Sequence, residues 1–213
     1  MKKNSLLNLL SGDAGVDSKP IGLLHTFYLS GAIEDSKEYI EWFDTIRNAG
    51  ETDIVKIHIN SPGGDLFTAI QFMRVLAESS ATVVVSVEGA CMSAATMIFL
   101  AGENFEVSEH SMFMFHNYSG MAIGKGGEMY DNIVHERKWS ENILRSVYED
   151  FLTEDEIKSI LDNKDIWMDG QEVIKRIKLK SDKILKKVTK QNEPKSRARK
   201  PATKSAKPKQ PAK

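Results

Sequence analysis

Gly89-Ala90-Cys91-Met92-Ser93-Ala94-Ala95-Thr96-Met97-Ile98-Phe99-Leu100-Ala101-Gly102 follows directly on the apolar run Thr82-Val83-Val84-Val85-Ser86-Val87. Four consecutive β-branched or apolar residues bounded by glycine predict a buried strand ending at Gly89. The small and apolar residues after Met92 predict a helix beginning near Ser93. Ser93 is thereby placed at a strand-to-helix turn, where free backbone N–H groups and the positive end of the helix dipole face whatever its hydroxyl touches. Taken alone, a serine at that position is read as an N-cap. A catalytic reading needs partners from elsewhere in the chain.

Upstream, the same unit occurs twice. Ile54-Val55-Lys56-Ile57-His58-Ile59 predicts a strand over residues 53–60. It is broken by Asn60-Ser61-Pro62-Gly63-Gly64-Asp65, and Leu66, Phe67, Ile70, Met73, Leu76 and Ala77 then resume helical spacing. Before that, residues 21–29 read as strand and 37–49 as helix, with Tyr39, Ile40, Phe43 and Ile46 on one stripe. Downstream, short strands are expected at 105–108 and 112–116, the second alternating in character and ending at His116. A Gly-rich loop over 120–127 leads to a long amphipathic helix at about 128–151. Thr153-Glu154-Asp155-Glu156 fits a capping box opening a helix to about Leu161. Residues 162–168 are expected to be extended and 169–175 helical, with 177–185 open between the two. Repeated strand-turn-helix units predict an α/β fold with a mainly parallel sheet and covering helices.

Composition divides the chain into three. Residues 1–20 carry a short Leu-rich patch with Gly12, Gly15 and Pro20 and are expected to be a flexible arm. Residues 21–185 form the predicted domain. Lys186 to Lys213 holds 11 of the 29 basic residues, one of the 30 acidic ones and four of the six prolines, so a net charge of −1 conceals an acidic body and a basic tail. With almost no large apolar residue, 186–213 is expected to be disordered and to suit nucleic acid or an acidic partner. Cys91 is the only cysteine, which excludes an internal disulfide or a Cys-based metal cluster and suits a reducing cytoplasm. No apolar window reaches the ~18 residues of a membrane span, and no signal peptide is evident.

A serine nucleophile requires a base, a group to orient that base, and N–H donors for the oxyanion. His116, at the end of an alternating strand beside a flexible loop, is a candidate base. Asp165, in Asn163-Lys164-Asp165-Ile166-Trp167-Met168, is a candidate orienting acid. Gly64, after the Pro-Gly turn, is placed where an N–H can closely approach a bound carbonyl.

These residues jointly resemble the proteolytic subunit of the Clp protease, the ClpP-type peptidases. Residues 27–35, Phe-Tyr-Leu-Ser-Gly-Ala-Ile-Glu-Asp, are similar to the family's first strand and turn. Ile59-Asn60-Ser61-Pro62-Gly63-Gly64 matches its I-N-S-P-G-G motif. Residues 89–102 run in register with its G-x-A-A-S-M-G-A-x-x-x-x-A-G nucleophile segment, both end glycines included. Ser111 to His116 resembles the histidine segment and Asp165-Ile166-Trp167-Met168 the acid-bearing D-x-[FW]-[LM]. The likeness covers about Phe27 to Ile174, and its strength is five motifs in one order.

The resemblance implies a ClpP/crotonase-type spiral of strand-strand-helix repeats with a protruding helix at 128–151. It implies Ser93 as nucleophile, His116 as base and then acid, Asp165 as orienting acid, and the N–H groups of Gly64 and Ala94 as oxyanion hole, with no cofactor or metal. It also implies a homo-oligomer of stacked seven-membered rings enclosing a chamber in which polypeptides are cleaved. Cys91-Met92-Ser93-Ala94 imitates Ser-Met-Gly-Ala shifted by two residues, but a Cys91 nucleophile would require gaps on both sides, which favours Ser93. Asn117-Tyr118 stands where usual members have proline, and their closing Gly-Leu-Val-Asp is absent around Arg176 to Leu179. Residues 1–25 show no ATPase-docking pattern, so a Clp ATPase partner stays open. The Met-Ser-Ala-Ala segment and the charged extension are more like phage-encoded ClpP-like peptidases, associated with processing capsid or scaffold proteins in head maturation. Two other readings are an acyl-coenzyme A enzyme of the same spiral superfamily, which needs no serine nucleophile, and a shell component binding nucleic acid through 186–213.

Overall fold

The computed structural model describes residues 20–192. The expected arm at 1–20 lies outside that range except for Pro20, and so does the tail beyond Asn192. Among the described residues six strands form one sheet: β1 (Leu24–Ser30), β2 (Ile54–Ser61), β3 (Thr82–Met92), β4 (Asn104–Val107), β5 (Met112–Phe115) and β6 (Ile166–Asp169). Along the sheet the order is β1-β2-β3-β5-β6, with β4 also pairing on β3. All pairs are parallel except β5–β6, which is antiparallel.

The helices are α1 (Ile40–Asn48, entered through a 3-10 turn at Ser36–Tyr39), α2 (Leu66–Glu78), α3 (Ala94–Leu100), α4 (Gly126–Tyr148), α5 (Glu154–Leu161) and α6 (Gly170–Asn192). Alternation along β2 buries Val55, Ile57, Ile59 and Ser61 on one face. An aromatic group from α1 and α2 packs in the core, with Phe43 and Phe72 edge to face at 4.8 Å between ring centroids. α3 is buried on every side, as its nearly all-apolar sequence requires. The helix cover is therefore one-sided, since Lys56, Tyr28 and His58 on the other face of the sheet remain partly or largely exposed.

β3 is the hub, and here the structure corrects an expectation. The strand does not end at Gly89 but continues to Met92. Its first half pairs with β4 through Val84–Val87, and its second half with β5 through Ala90–Met92. Between the halves the register with β2 jumps from Ile59/Val87 to Ser61/Cys91. The extra residues form a bulge into which Asn60 inserts, its Oδ1 accepting the Ala90 N–H at 3.0 Å. A Cβ on Gly89 would lie 2.7 Å from that same oxygen. The glycine thus bends the strand without terminating it.

α4 begins two residues earlier than expected and ends at Tyr148, with Phe151 packing from the turn that follows. Its first half is mostly exposed, while Ser140, Leu144 and Tyr148 are buried, so it projects from the body.

Residues 177–185, left open by the sequence pattern, continue α6 as one helix. That helix runs past the domain boundary at 185 as far as Asn192. Arg176 anchors it, donating to both oxygens of Glu156 at 2.8 Å. Glu156 is also the capping-box acid of α5 and accepts the Thr153 N–H. The Arg176 guanidinium, with the Thr153 donors, holds the Glu156 carboxyl down at about 2, below its ordinary 4.5. A depressed carboxylate pKa stabilises the fold above the ordinary value, and that contribution disappears as pH falls toward the folded one. The melting-temperature gap between wild type and Glu156→Gln is accordingly expected to be constant from neutral pH down to about 4.5 and to close between there and about 2. A gap independent of pH across that window would contradict it.

Candidate active site

β3 stops at Met92 because Ser93 takes φ 54° and ψ −130°, a conformation in which an L-residue can continue neither strand nor helix. Backbone held in this way costs on the order of 1–3 kcal/mol and persists only where the surroundings impose it. Here the Ser93 N–H donates to Met114 O at 2.8 Å, extending the β3–β5 ladder by one step. Ser93 occupies the N-cap of α3, yet its side chain makes no capping hydrogen bond, unlike Asp65 before α2 and Thr153 before α5. The hydroxyl is instead 2.6 Å from His116 Nε2. The ordinary reading of Ser93 as a cap is therefore not the one realised.

His116 reaches the serine because β5 runs parallel to β3 with Met92 opposite Met114, so the residue after β5 emerges beside the turn after β3. When Ser93 donates, Nε2 accepts, and the imidazole proton sits on Nδ1. Asp165 is adjacent in register. The antiparallel β5–β6 pairing matches Met114 with Trp167 and Phe115 with Ile166, so the next step pairs His116 with Asp165. Among the described residues, however, no hydrogen bond joins Asp165 to His116, and Asp165 is exposed. Just beyond, Asn117 Nδ2 donates to Asn163 Oδ1 at 3.1 Å and ties the two loops together. Of the three residues predicted for the triad, two are in contact and the third is next in register.

Gly64 lies in an isolated parallel bridge with Ile33, whose hydrogen bonds use Gly63 O and Asp65 N, so the bridge does not engage the Gly64 N–H. Ala94, first residue of α3, has no helical acceptor for its own N–H. Both residues line the cavity at Ser93 and His116. Gly63, which sequence reasoning gave no role, is the glycine that meets the serine itself. At φ 96° a Cβ there would lie 2.6 Å from Ser93 Cβ and 2.7 Å from Met92 O. The paired glycines of the Pro-Gly-Gly turn were the signal for it, although only one was given a role.

Cys91, two residues before the serine, is completely buried, and burial pushes its thiol well above the ordinary range. A neutral, inaccessible thiol is a poor nucleophile, which speaks against Cys91. The cavity at Ser93 and His116 is narrow, about 60 Å³, with Leu66, Met97, Leu144 and Tyr148 among its walls. A wider groove of about 510 Å³ adjoins it between Phe67, Trp139 and the loop at Tyr118–Met121.

A strained serine in contact with a histidine, just past the ends of parallel β3 and β5 and beside the Gly64 and Ala94 amides, can serve as a nucleophile–base pair. The chain belongs to the Clp protease family: the model of that family, described as Clp protease, matches residues 31–193. Membership supports a peptidase and agrees with the observed sheet and helices. A comparison with curated proteins returns no match. Among the described residues, no helix is long and apolar enough to cross a membrane.

Proposed function

We propose that the protein is a serine endopeptidase acting through Ser93, His116 and Asp165. The observation that carries this is the 2.6 Å contact between His116 Nε2 and a hydroxyl held on a strained turn and withheld from helix capping. In this reading Ser93 Oγ attacks the scissile carbonyl carbon as His116 Nε2 takes its proton. The carbonyl oxygen becomes an oxyanion that accepts from the Gly64 and Ala94 N–H groups. Loss of one such donor typically costs about 10²–10³ in turnover. His116 then protonates the leaving amine, leaving an acyl group on Ser93, and a water activated by the same imidazole hydrolyses it. Asp165 would reorient to accept a hydrogen bond from Nδ1–H, fixing the tautomer and balancing the imidazolium. Contacts of this kind are often long before substrate binds.

The substrates proposed are unfolded polypeptides, threaded along the groove beside Phe67 and Trp139. A ring-shaped homo-oligomer fits the projecting half of α4, which exposes Tyr130, Ile133 and Val134. The reading is tested by exposing the protein to a fluorophosphonate and mapping the adduct by mass spectrometry. Modification is expected at Ser93, with Asp165→Asn labelling markedly more slowly. An unmodified Ser93 under conditions that label other serine peptidases would sink the proposal.

A further inference from the structure

α3 contains one polar side chain among seven residues, Thr96, and it is fully buried. Its position is explained by what it holds. Thr96 Oγ1 donates to Ser93 O at 2.7 Å, and the Thr96 N–H donates to the same oxygen at 2.9 Å. Thr96 Oγ1 is also 2.7 Å from the hydroxyl of Tyr148. A threonine hydroxyl has one proton, and Ser93 O takes it, so Tyr148 must be the donor in that second bond. Tyr148 comes from the last turn of α4, is almost completely buried and packs edge to face on Phe115 of β5.

We infer that Thr96 and Tyr148 are positioning residues that hold the Ser93 carbonyl, and with it the strained turn that aims the serine hydroxyl at His116. The inference rests on the peptidase reading above and adds to it a relay from α4 to the nucleophile. Ser93 is clamped on both sides: its N–H by Met114 O, its carbonyl by two donors from Thr96. Without the Tyr148 proton, the buried Thr96 Oγ1 is left short of a donor, and the hydroxyl loses the contact that orients its own proton toward Ser93 O. Neither side chain hydrogen-bonds to His116 or Ser93 Oγ, so neither is a catalytic residue. Both act through the backbone of Ser93.

The test is the rate and the end-point of fluorophosphonate acylation, measured on full-length wild type, Tyr148→Phe, Thr96→Val and Thr96→Ser, together with kcat and KM for a fluorogenic peptide. Tyr148→Phe and Thr96→Val are expected to be acylated about tenfold more slowly while reaching the full wild-type end-point. Their kcat should fall in parallel and KM should stay within about twofold. Thr96→Ser, which keeps the hydroxyl, should recover the wild-type rate. A merely structural role would reduce the labelled fraction and leave the rate of the remaining molecules unchanged, and that result would overturn the inference. If Thr96→Val fails to fold, the comparison of Tyr148→Phe with Thr96→Ser decides alone. Wild-type rates in Tyr148→Phe, with Ser93 labelled in both, would overturn the inference and leave the peptidase reading standing. A wild-type protein never labelled at Ser93 would overturn both.

Discussion

Ser93→Ala is expected to lower peptide turnover by about 10⁴–10⁶ while leaving the fold intact. Removing the serine of a catalytic triad has cost on the order of 10⁶ in turnover in a well-studied case, with a residual advantage over water from the oxyanion hole and binding. The loss should be confined to kcat for three reasons of geometry. The Ser93 hydroxyl is not part of any cap, so its deletion leaves no helix end unsatisfied. The backbone bonds from Met114 O and Thr96 remain. The cavity walls at Leu66, Met97 and Leu144 are untouched. Melting temperature should change little in either direction, since alanine suffers the same positive φ that serine does. The measurement is hydrolysis of a fluorescently labelled, denatured protein by wild type and variant prepared in parallel. Cleavage persisting within tenfold of wild type would exclude Ser93 as nucleophile. The buried Cys91 could not take its place without the strand opening.

Gly63→Ala is expected to abolish acylation of Ser93 and to lower the melting temperature by more than about 5 °C. Alanine at φ 96° is strained whatever its surroundings, and a left-handed conformation costs an L-residue roughly 1–2 kcal/mol. The new methyl would also sit 2.6 Å from Ser93 Cβ and 3.1 Å from the Ala94 nitrogen. Neither neighbour is a flexible side-chain end that can swing aside. The displacement would therefore fall on the nucleophile turn and on one of the two proposed oxyanion donors together. A chain of this length loses roughly 2–4 °C for each kcal/mol, so strain and contact together should be readily seen by calorimetry. A Gly63→Ala protein acylated at the wild-type rate would show that the turn can absorb the methyl, and the account of this glycine would fail.

Much of this site was legible from local pattern. The Pro-Gly-Gly break after β2, the alternation ending at His116 and the capping box at Thr153 are all short-range signals. Each was read at or within a few residues of where the structure has it. What was misread depended on partners distant in sequence. Gly89 looked like a strand end because glycine usually ends one. The strand continues because Asn60, on the neighbouring strand, fills the gap the bulge leaves. The length of α6 was obscure because Ile177 to Leu185 interleaves apolar and charged residues without a clear period, and an ion pair from Arg176 to Glu156 of α5 ties the helix to the body just before that stretch.

The sequence by itself determined the class of fold and the order of the units, because periodicity and turn residues act within a few positions of one another, and its resemblance to the Clp protease motifs named the candidate site residues. It also favoured Ser93 over Cys91 through the spacing of Gly89 and Gly102. Only the tertiary structure decided that the serine hydroxyl is withheld from capping and lies 2.6 Å from His116. It likewise decided that Gly63 packs against Ser93 and Gly64 against Ile33, and that a threonine and a tyrosine 52 positions apart share one hydrogen-bond chain to Ser93 O. These depend on the register between strands and on the seating of α4, which bring together atoms that no local pattern relates.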